Sequence, residues 1–371
     1  MMINKSARGF GSPGKYIQGP GELLRLCEYT NLYGRNVSVI IDSFLYANTS
    51  KSVVSIYPEG STIECISFGG ECSENEINKY KANVTKISAD VIVGIGGGKT
   101  LDTAKAVAAA LTIPVIIVPT SASSDAATSA SSVIYTDEGI HSNFICHKKH
   151  PEIVLVDTEI ICKAPVRLLV SGMGDALSTY FEAEANNASD TANYIGEGYR
   201  RTKLGLTIAR LCYDILLEKG LYAKIAVENE CCTEALEDVI EANILLSGLG
   251  YENTGCAGAH GIHTGLTELN GTKPYYHGEK VAFATICQLI LENKSTPQIE
   301  EVINFCLSVD LPVTLEQIGV EDKHKNIEII AEYSMDSITS EPFYFTKKSL
   351  FDAIKTANSL GNMYKDRFIH I

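Results

Sequence analysis

Three of the chain's eight histidines, His260, His263 and His277, crowd into one short stretch that reads GAHGIHTG and then YYHGEK. Neutral imidazole is the commonest protein ligand for a transition metal, and a catalytic zinc site can combine two histidines with one carboxylate while keeping a position open. SGMGDALSTYFEAE offers that carboxylate in Asp175, expected at the start of a helix. Asp175, His260 and His277 are therefore the candidate ligand set. His260 and His263 are three residues apart and share a helical face, so one can ligate while the other hydrogen-bonds nearby. Ordinary polar or capping roles stay open on spacing alone, because the stretch matches no named zinc motif.

A second chemical signal lies upstream in VIVGIGGGKTLDTAK, where a buried-strand pattern runs into glycines and then a helix. Counting back from Gly98-Lys99-Thr100 puts Val93 where a Walker loop needs its first glycine, and the G-x-G-x-x-G dinucleotide fingerprint fails as well. The arrangement still suits a pyrophosphate. Gly97 and Gly98 permit close backbone approach, and a helix starting near Thr100 points amide N–H groups at an anion. A tight strand-to-helix turn without a ligand is the plainer alternative. Asp42, at the end of an earlier strand, can accept from ribose hydroxyls and would repel a 2′-phosphate, which favours NAD over NADP; a turn or helix cap explains it equally well.

The elements that must position these residues change texture near residue 160. Before it, Val37–Asp42, Asp90–Gly94, Pro114–Pro119 and Ile153–Asp157 read as strands buried on both faces and alternate with helical stretches. That alternation predicts a doubly wound parallel α/β domain over 1–160. After it, amphipathic segments such as Tyr199–Lys219, Cys232–Ser247 and Glu279–Glu292 predict an all-α domain over 161–371. The active site is expected in the cleft between them.

Bulk composition narrows the partners. The chain has 371 residues, 45% of them apolar, enough for a large core. A formal net charge of -14, with no Lys/Arg stripe, argues against nucleic acid. Eleven cysteines, odd in number and without a C-x-x-C pair, suggest reduced thiols. The first residues show no apolar signal core, and no run of about 18 apolar residues could cross a bilayer, so no membrane is expected and the location reads as cytoplasmic.

SPGKYIQG (12–19), FGGECSENEI (68–77), GIGGGKTLDTAKAV (94–107), SVIYTDEG (132–139), LVDTEI (155–160), GMGDALSTYFEAE (172–184), GAHGIHTGLT (258–267) and HGEKVAFAT (277–285) together resemble the metal-dependent, iron-containing type of alcohol dehydrogenase family, nearly end to end and in order. The resemblance implies NAD-dependent oxidation of a small polyol, glycerol to dihydroxyacetone, with zinc on Asp175, His260 and His277. Thr179 stands where iron-binding relatives carry a further histidine. It also implies cofactor contacts at Asp42, Gly97, Gly98, Lys99, Thr120, Ser123, Ser129, Ser131 and Tyr135. Asp125 matches an aspartate that contacts the polyol, and His263 a second histidine beside the metal, with a proton-passing or a structural role. A homo-oligomer, up to an octamer, is expected.

The chain departs from the family pattern at Ser124, Ala127, Thr128 and Ser131, at Gly258, Gly261 and Thr264, and in the tail from Asp336 through Lys348. These changes leave other diols or hydroxyketones, such as 1,2-propanediol or hydroxyacetone, as alternative substrates. A lyase of the dehydroquinate-synthase type is a further rival, but it needs clustered basic residues for phosphate, and the basic residues around the motifs, Lys99, Lys273 and Lys280 among them, are scattered singly.

Overall fold

The computed structural model describes residues 7–196 and 198–369. Six parallel strands, β1 (Lys15–Gly19), β2 (Asn36–Ile41), β3 (Thr62–Ser67), β4 (Val91–Gly96), β5 (Val115–Pro119) and β8 (Ile153–Asp157), pair in the order β1-β8-β5-β4-β2-β3. A separate antiparallel hairpin joins β6 (Ser131–Tyr135) to β7 (His141–Cys146). The strands expected from apolar runs are all present, with ends shifted by one or two residues. β1, β3 and the hairpin carry weaker signals: β3 lies at the sheet edge with no fully buried residue, and β7 is exposed along its whole length.

Strand periodicity divides the sheet core in two. Val37, Val39, Ile41, Val91, Val93, Ile95, Ile116, Val118, Ile153 and Leu155 pack on one face with Leu26 of α1 (Leu26–Thr30) and Val53 of α2 (Tyr46–Ser55). The intervening Ile40, Ile92, Ile117, Val154 and Val156 point the other way, onto α3 (Glu74–Lys86) and α4 (Gly98–Leu111) and onward into the helical region. Both faces are covered, which is why these strands read as unbroken apolar runs.

Every described element after β8 is helical: α5 (Thr158–Cys162), α6 (Val166–Ser189), α7 (Lys203–Glu228), α8 (Glu234–Glu241), α9 (Ser247–Thr254), α10 (Gly258–Thr267), α11 (His277–Leu291), α12 (Thr296–Ser308), α13 (His324–Ser334) and α14 (Lys347–Ile369), with short 3₁₀ turns between some of them. Caps set several starts. Thr202 accepts from the Gly205 N–H and Thr233 from the Leu236 N–H, so α7 and α8 begin a few residues later than apolar periodicity alone suggests.

α6 corrects one expectation. Pro165 precedes its first turn, and the helix runs unbroken through Gly172 and Gly174, so Asp175 lies in mid-helix rather than at a start. These glycines mark close packing, not a turn. A Cβ at Gly172 would lie 1.8 Å from the Ala122 carbonyl oxygen, and one at Gly174 would lie 2.3 Å from that of Gly278 in α11.

Candidate metal and cofactor site

The connections of β2 and β4 leave the sheet in opposite directions, β2 toward β3 and β4 toward β5. Between the carboxyl ends of such a pair a ligand crevice opens. Asp42 follows β2, and Gly96, Gly97 and Gly98 follow β4. The two ends are close: a Cβ on Gly96, whose φ is +157°, would come within 2.9 Å of the Asp42 Cβ and 2.8 Å of the Thr100 hydroxyl. By contrast a Cβ at Gly97 would meet no atom within 4 Å. Free space therefore lies over the amino end of α4, where unpaired N–H groups and the helix dipole favour a pyrophosphate. The residues fit the pyrophosphate of a dinucleotide in chemistry, and nothing crowds Gly97.

Around that crevice the expected cofactor residues divide. Asp42 Oδ1 accepts the Phe44 N–H at 3.0 Å, and the Thr120 N–H donates to Gly96 O at 3.1 Å, which ties the ends of β4 and β5 together. Lys99 Nζ reaches both Glu71 oxygens at 2.7 Å and lies 4.8 Å from the centre of the Tyr135 ring. Burial, Asp102 and Glu71 push the Tyr135 hydroxyl up to about 12, so it is a neutral donor at physiological pH. Ser123 shares a hydrogen bond with Ser121. Ser129 and Ser131 are buried and engaged by the protein itself, with the Ser131 hydroxyl 3.0 Å from that of Ser129 and 3.2 Å from that of Tyr251.

Beneath this loop is a buried ion pair that sequence reading passed over. Lys105 Nζ lies 2.9 Å from Asp102 Oδ1 and donates to Ala126 O at 2.7 Å, while Asp102 Oδ2 accepts the Val133 N–H. Burial pushes the Asp102 carboxyl up, against the pull of Lys105. Removing the cation leaves the carboxylate buried and unpaired. Lys105→Met is expected to lower unfolding stability by about 3–5 kcal/mol. Equilibrium denaturation would measure it, and a loss below about 1 kcal/mol would show that the pair does not hold the 120–131 loop.

The candidate metal triad is built by three helices. Asp175 comes from α6, His260 from α10 and His277 from the first residue of α11. His260 Nε2 and His277 Nε2 lie 3.5 and 3.1 Å from Asp175 Oδ1, and 3.4 Å from each other. Three tetrahedral ligands at zinc bond lengths would stand roughly 3.3 Å apart, so the triangle already has the size of a coordination face. Asp175 is 2% exposed and neither of its oxygens has a hydrogen-bond partner among the described residues. Such a bare buried carboxylate needs a cation. Burial alone would raise its pKa, yet His277 and His260 beside it hold the carboxyl well below the usual carboxylate range.

Asp125 flanks the triad through a break in helical regularity. Between α8 and α9 the backbone widens into a π turn over Ala242–Leu246, a feature common at functional sites. From it Asn243 Nδ2 donates to Ala122 O and Leu169 O, and Ser247 Oγ donates to Asp125 Oδ2 at 3.0 Å. Thr179 Oγ1 pairs with the Ser247 hydroxyl at 3.1 Å. Burial, with the Asp175 carboxylate next to it, pushes the Asp125 carboxyl up to about 8. A cation on Asp175 cancels the second cause. His263 stands behind the triad, its Nε2 3.1 Å from His277 Nδ1, and burial together with His277, Lys280 and His260 holds it neutral, well below its ordinary value.

A cavity of about 560 Å³ opens beside His260, walled by Phe144 and Cys146 of the hairpin, Tyr194, Cys256 and Thr264. It brings parts of the sheet region and of the helical region to one cleft. Glu182 is a contact of the candidate site that sequence reading did not single out: its Oε2 lies 2.7 Å from His260 Nδ1. Its signal was present, because Glu182 follows Asp175 by seven positions, two turns along one helical face.

Comparison with known proteins identifies the family. Residues 13–158 match the profile of iron-containing alcohol dehydrogenases. The chain is 46% identical over 359 residues to the glycerol dehydrogenase of Thermotoga maritima, covering 95% of this chain and 98% of that protein. It is 40% identical over 366 residues to the glycolaldehyde reductase of Halobacterium salinarum, covering 96% and 99%. The crystal structure of glycerol dehydrogenase from Schizosaccharomyces pombe matches with a TM-score of 0.91 at 36% identity, covering 98% of this chain and 93% of that one. The chain belongs to the iron-containing alcohol dehydrogenase family. It is an oxidoreductase that uses NAD and a divalent metal, and its similarity to glycerol dehydrogenases within the family is nearly end to end.

Proposed function

We propose that the chain oxidises glycerol to dihydroxyacetone and passes the hydride to NAD, with zinc on Asp175, His260 and His277. The observation that carries this reading is the donor triangle around the buried Asp175 carboxylate, in a chain whose glycine loop is open at Gly97. Bound there, the metal would supply Lewis acidity toward an alcohol oxygen and NAD would supply the hydride acceptor. Zinc is favoured because Thr179 is paired with Ser247 and no histidine stands in its place, leaving three side-chain ligands and an open position.

The chain's own residues orient the substrate and dispose of its proton. Asp125 accepts from the hydroxyl next to the reacting carbon, and Ser247 and the π turn fix its position. One carbon loses a hydride and its hydroxyl a proton, so the products are a ketone, NADH and one proton. His263 holds the His277 ring, and because burial keeps it neutral it serves to pass that proton on rather than to keep it. We further propose that residues 1–160 form the cofactor domain and 161–371 the metal and substrate domain, that the protein works in the cytoplasm, and that it is a homo-oligomer. No helix among the described residues is long and apolar enough to cross a membrane. In support of self-association, Leu204, Leu211, Tyr222 and Ile225 lie exposed on α7 at spacings of seven, eleven and three, one apolar stripe that a second copy would cover.

The test is NADH formation from NAD and glycerol, followed by absorbance before and after chelation and again with zinc restored. Activity that chelation removes and zinc returns is the expected result. A second reading, the same hydride chemistry on another diol or hydroxyketone, is favoured by the width of the cavity beside His260 and the changed residues Ala127–Ser131. Turnover of 1,2-propanediol or hydroxyacetone with glycerol silent would select it. Silence with every diol in zinc-loaded protein would overturn both.

A further inference from the structure

We infer that Glu182 is a positioning residue that sets the affinity of the Asp175, His260 and His277 triad for its metal, by fixing the tautomer and ring plane of His260. The inference rests on reading the triad as a metal site. Glu182 is 1% exposed, and both of its oxygens are engaged. Oε1 accepts the backbone N–H of Ala257 at 2.8 Å and of His260 at 2.9 Å. Oε2 faces His260 Nδ1 at 2.7 Å and the Ser178 hydroxyl at 3.3 Å. One carboxylate thus clamps the amino end of α10 and the imidazole that α10 carries.

Tautomer is the first consequence. His260 Nε2 points at Asp175 and His277, so its lone pair is free for a metal only when the ring proton resides on Nδ1. Glu182 Oε2 is the acceptor that keeps it there. Hydrogen bonds of this kind orient metal-bound histidines and raise their basicity. Charge is the second consequence. Asp175 and Glu182 are both buried, and their only ion-pair partners among the described residues are His260 and His277. With both imidazoles neutral, a dication brings the cluster to zero net charge. Removing one carboxylate removes half of that compensation.

A glutamine at this position cannot reproduce the clamp. Its amide oxygen can take the backbone N–H groups or the His260 Nδ1–H, and its NH₂ then opposes the donors at the other seat. Zinc binding to metal-stripped protein, measured by competition with a chromophoric chelator, reads the effect directly. Glu182→Gln is expected to weaken zinc by about 10–100-fold, and to change the visible absorption of the cobalt-substituted protein, with NADH affinity unchanged. Glu182→Asp keeps the charge but falls one methylene short, so an intermediate loss is expected; it decides the matter if the glutamine variant does not fold. Zinc affinities within about twofold of the parent in both variants would overturn the inference. Should His260→Ala lose zinc while the Glu182 variants keep it, only the role of Glu182 falls. Should the parent protein and His260→Ala bind zinc equally weakly, the metal reading falls and takes this inference with it.

Discussion

His260→Ala and His277→Ala are each expected to reduce NADH formation from glycerol by about 10³-fold or more, because loss of the metal removes several kcal/mol of charge stabilisation at the reacting oxygen. NADH binding, followed by fluorescence, is expected to survive in both, since the glycine loop and Asp42 belong to the carboxyl ends of β4 and β2 and touch neither histidine. The two variants differ in one further respect. His260 answers Glu182 through Nδ1, whereas His277 answers His263. Truncating His260 leaves Oε2 of a buried carboxylate with only the more distant Ser178 hydroxyl at 3.3 Å, so the metal-free His260→Ala protein is expected to be less stable than metal-free His277→Ala by about 1–3 kcal/mol. Near-parental turnover in either variant would sink the metal assignment, and equal stabilities would show that the Glu182 contact carries no net weight in the metal-free state.

The histidines were legible because side-chain type alone carries metal chemistry and three of them fall in one window. Glu182 was not, because a glutamate on an amphipathic helix looks like any solvated acid until its face is known to be buried. The parallel sheet was legible where both faces are covered, as in β2, β4, β5 and β8, and illegible where cover ends, as in β3 and β7. Asp175 was expected at the start of a helix and lies in the middle of one. Glycine is a poor helix former, so Gly172 and Gly174 weaken the helical signal ahead of Asp175, yet tertiary contact overrides propensity here. What those glycines serve, the approach of two backbones, leaves no periodic trace in the sequence.

That approach makes Gly278 the tightest glycine among the described residues. α6 and α11 cross at Gly174 and Gly278, and the crossing brings Asp175 to within 3.1 Å of His277 Nε2. A Cβ on Gly278 would lie 1.7 Å from Ser171 O and 2.8 Å from the Asp175 N–H nitrogen. Helix propensity favours alanine over glycine by about 1 kcal/mol, but overpacking costs about 1–3 kcal/mol, and more where the obstacle is backbone that cannot turn aside. Overpacking wins, so Gly278→Ala is expected to unfold about 2 kcal/mol more easily, or more. The helices part to admit the methyl group and Asp175 moves away from His277; a displacement near 1 Å can cost about 10²-fold in function. Gly361→Ala supplies the control, because a Cβ there would lie 1.8 Å from Val313 O, in α14, which carries none of the three candidate ligands. Both variants are expected to melt lower in calorimetry, and only Gly278→Ala to lose zinc affinity. Equal zinc affinity in the two would mean that the α6–α11 approach stabilises the fold without setting the geometry of the metal site.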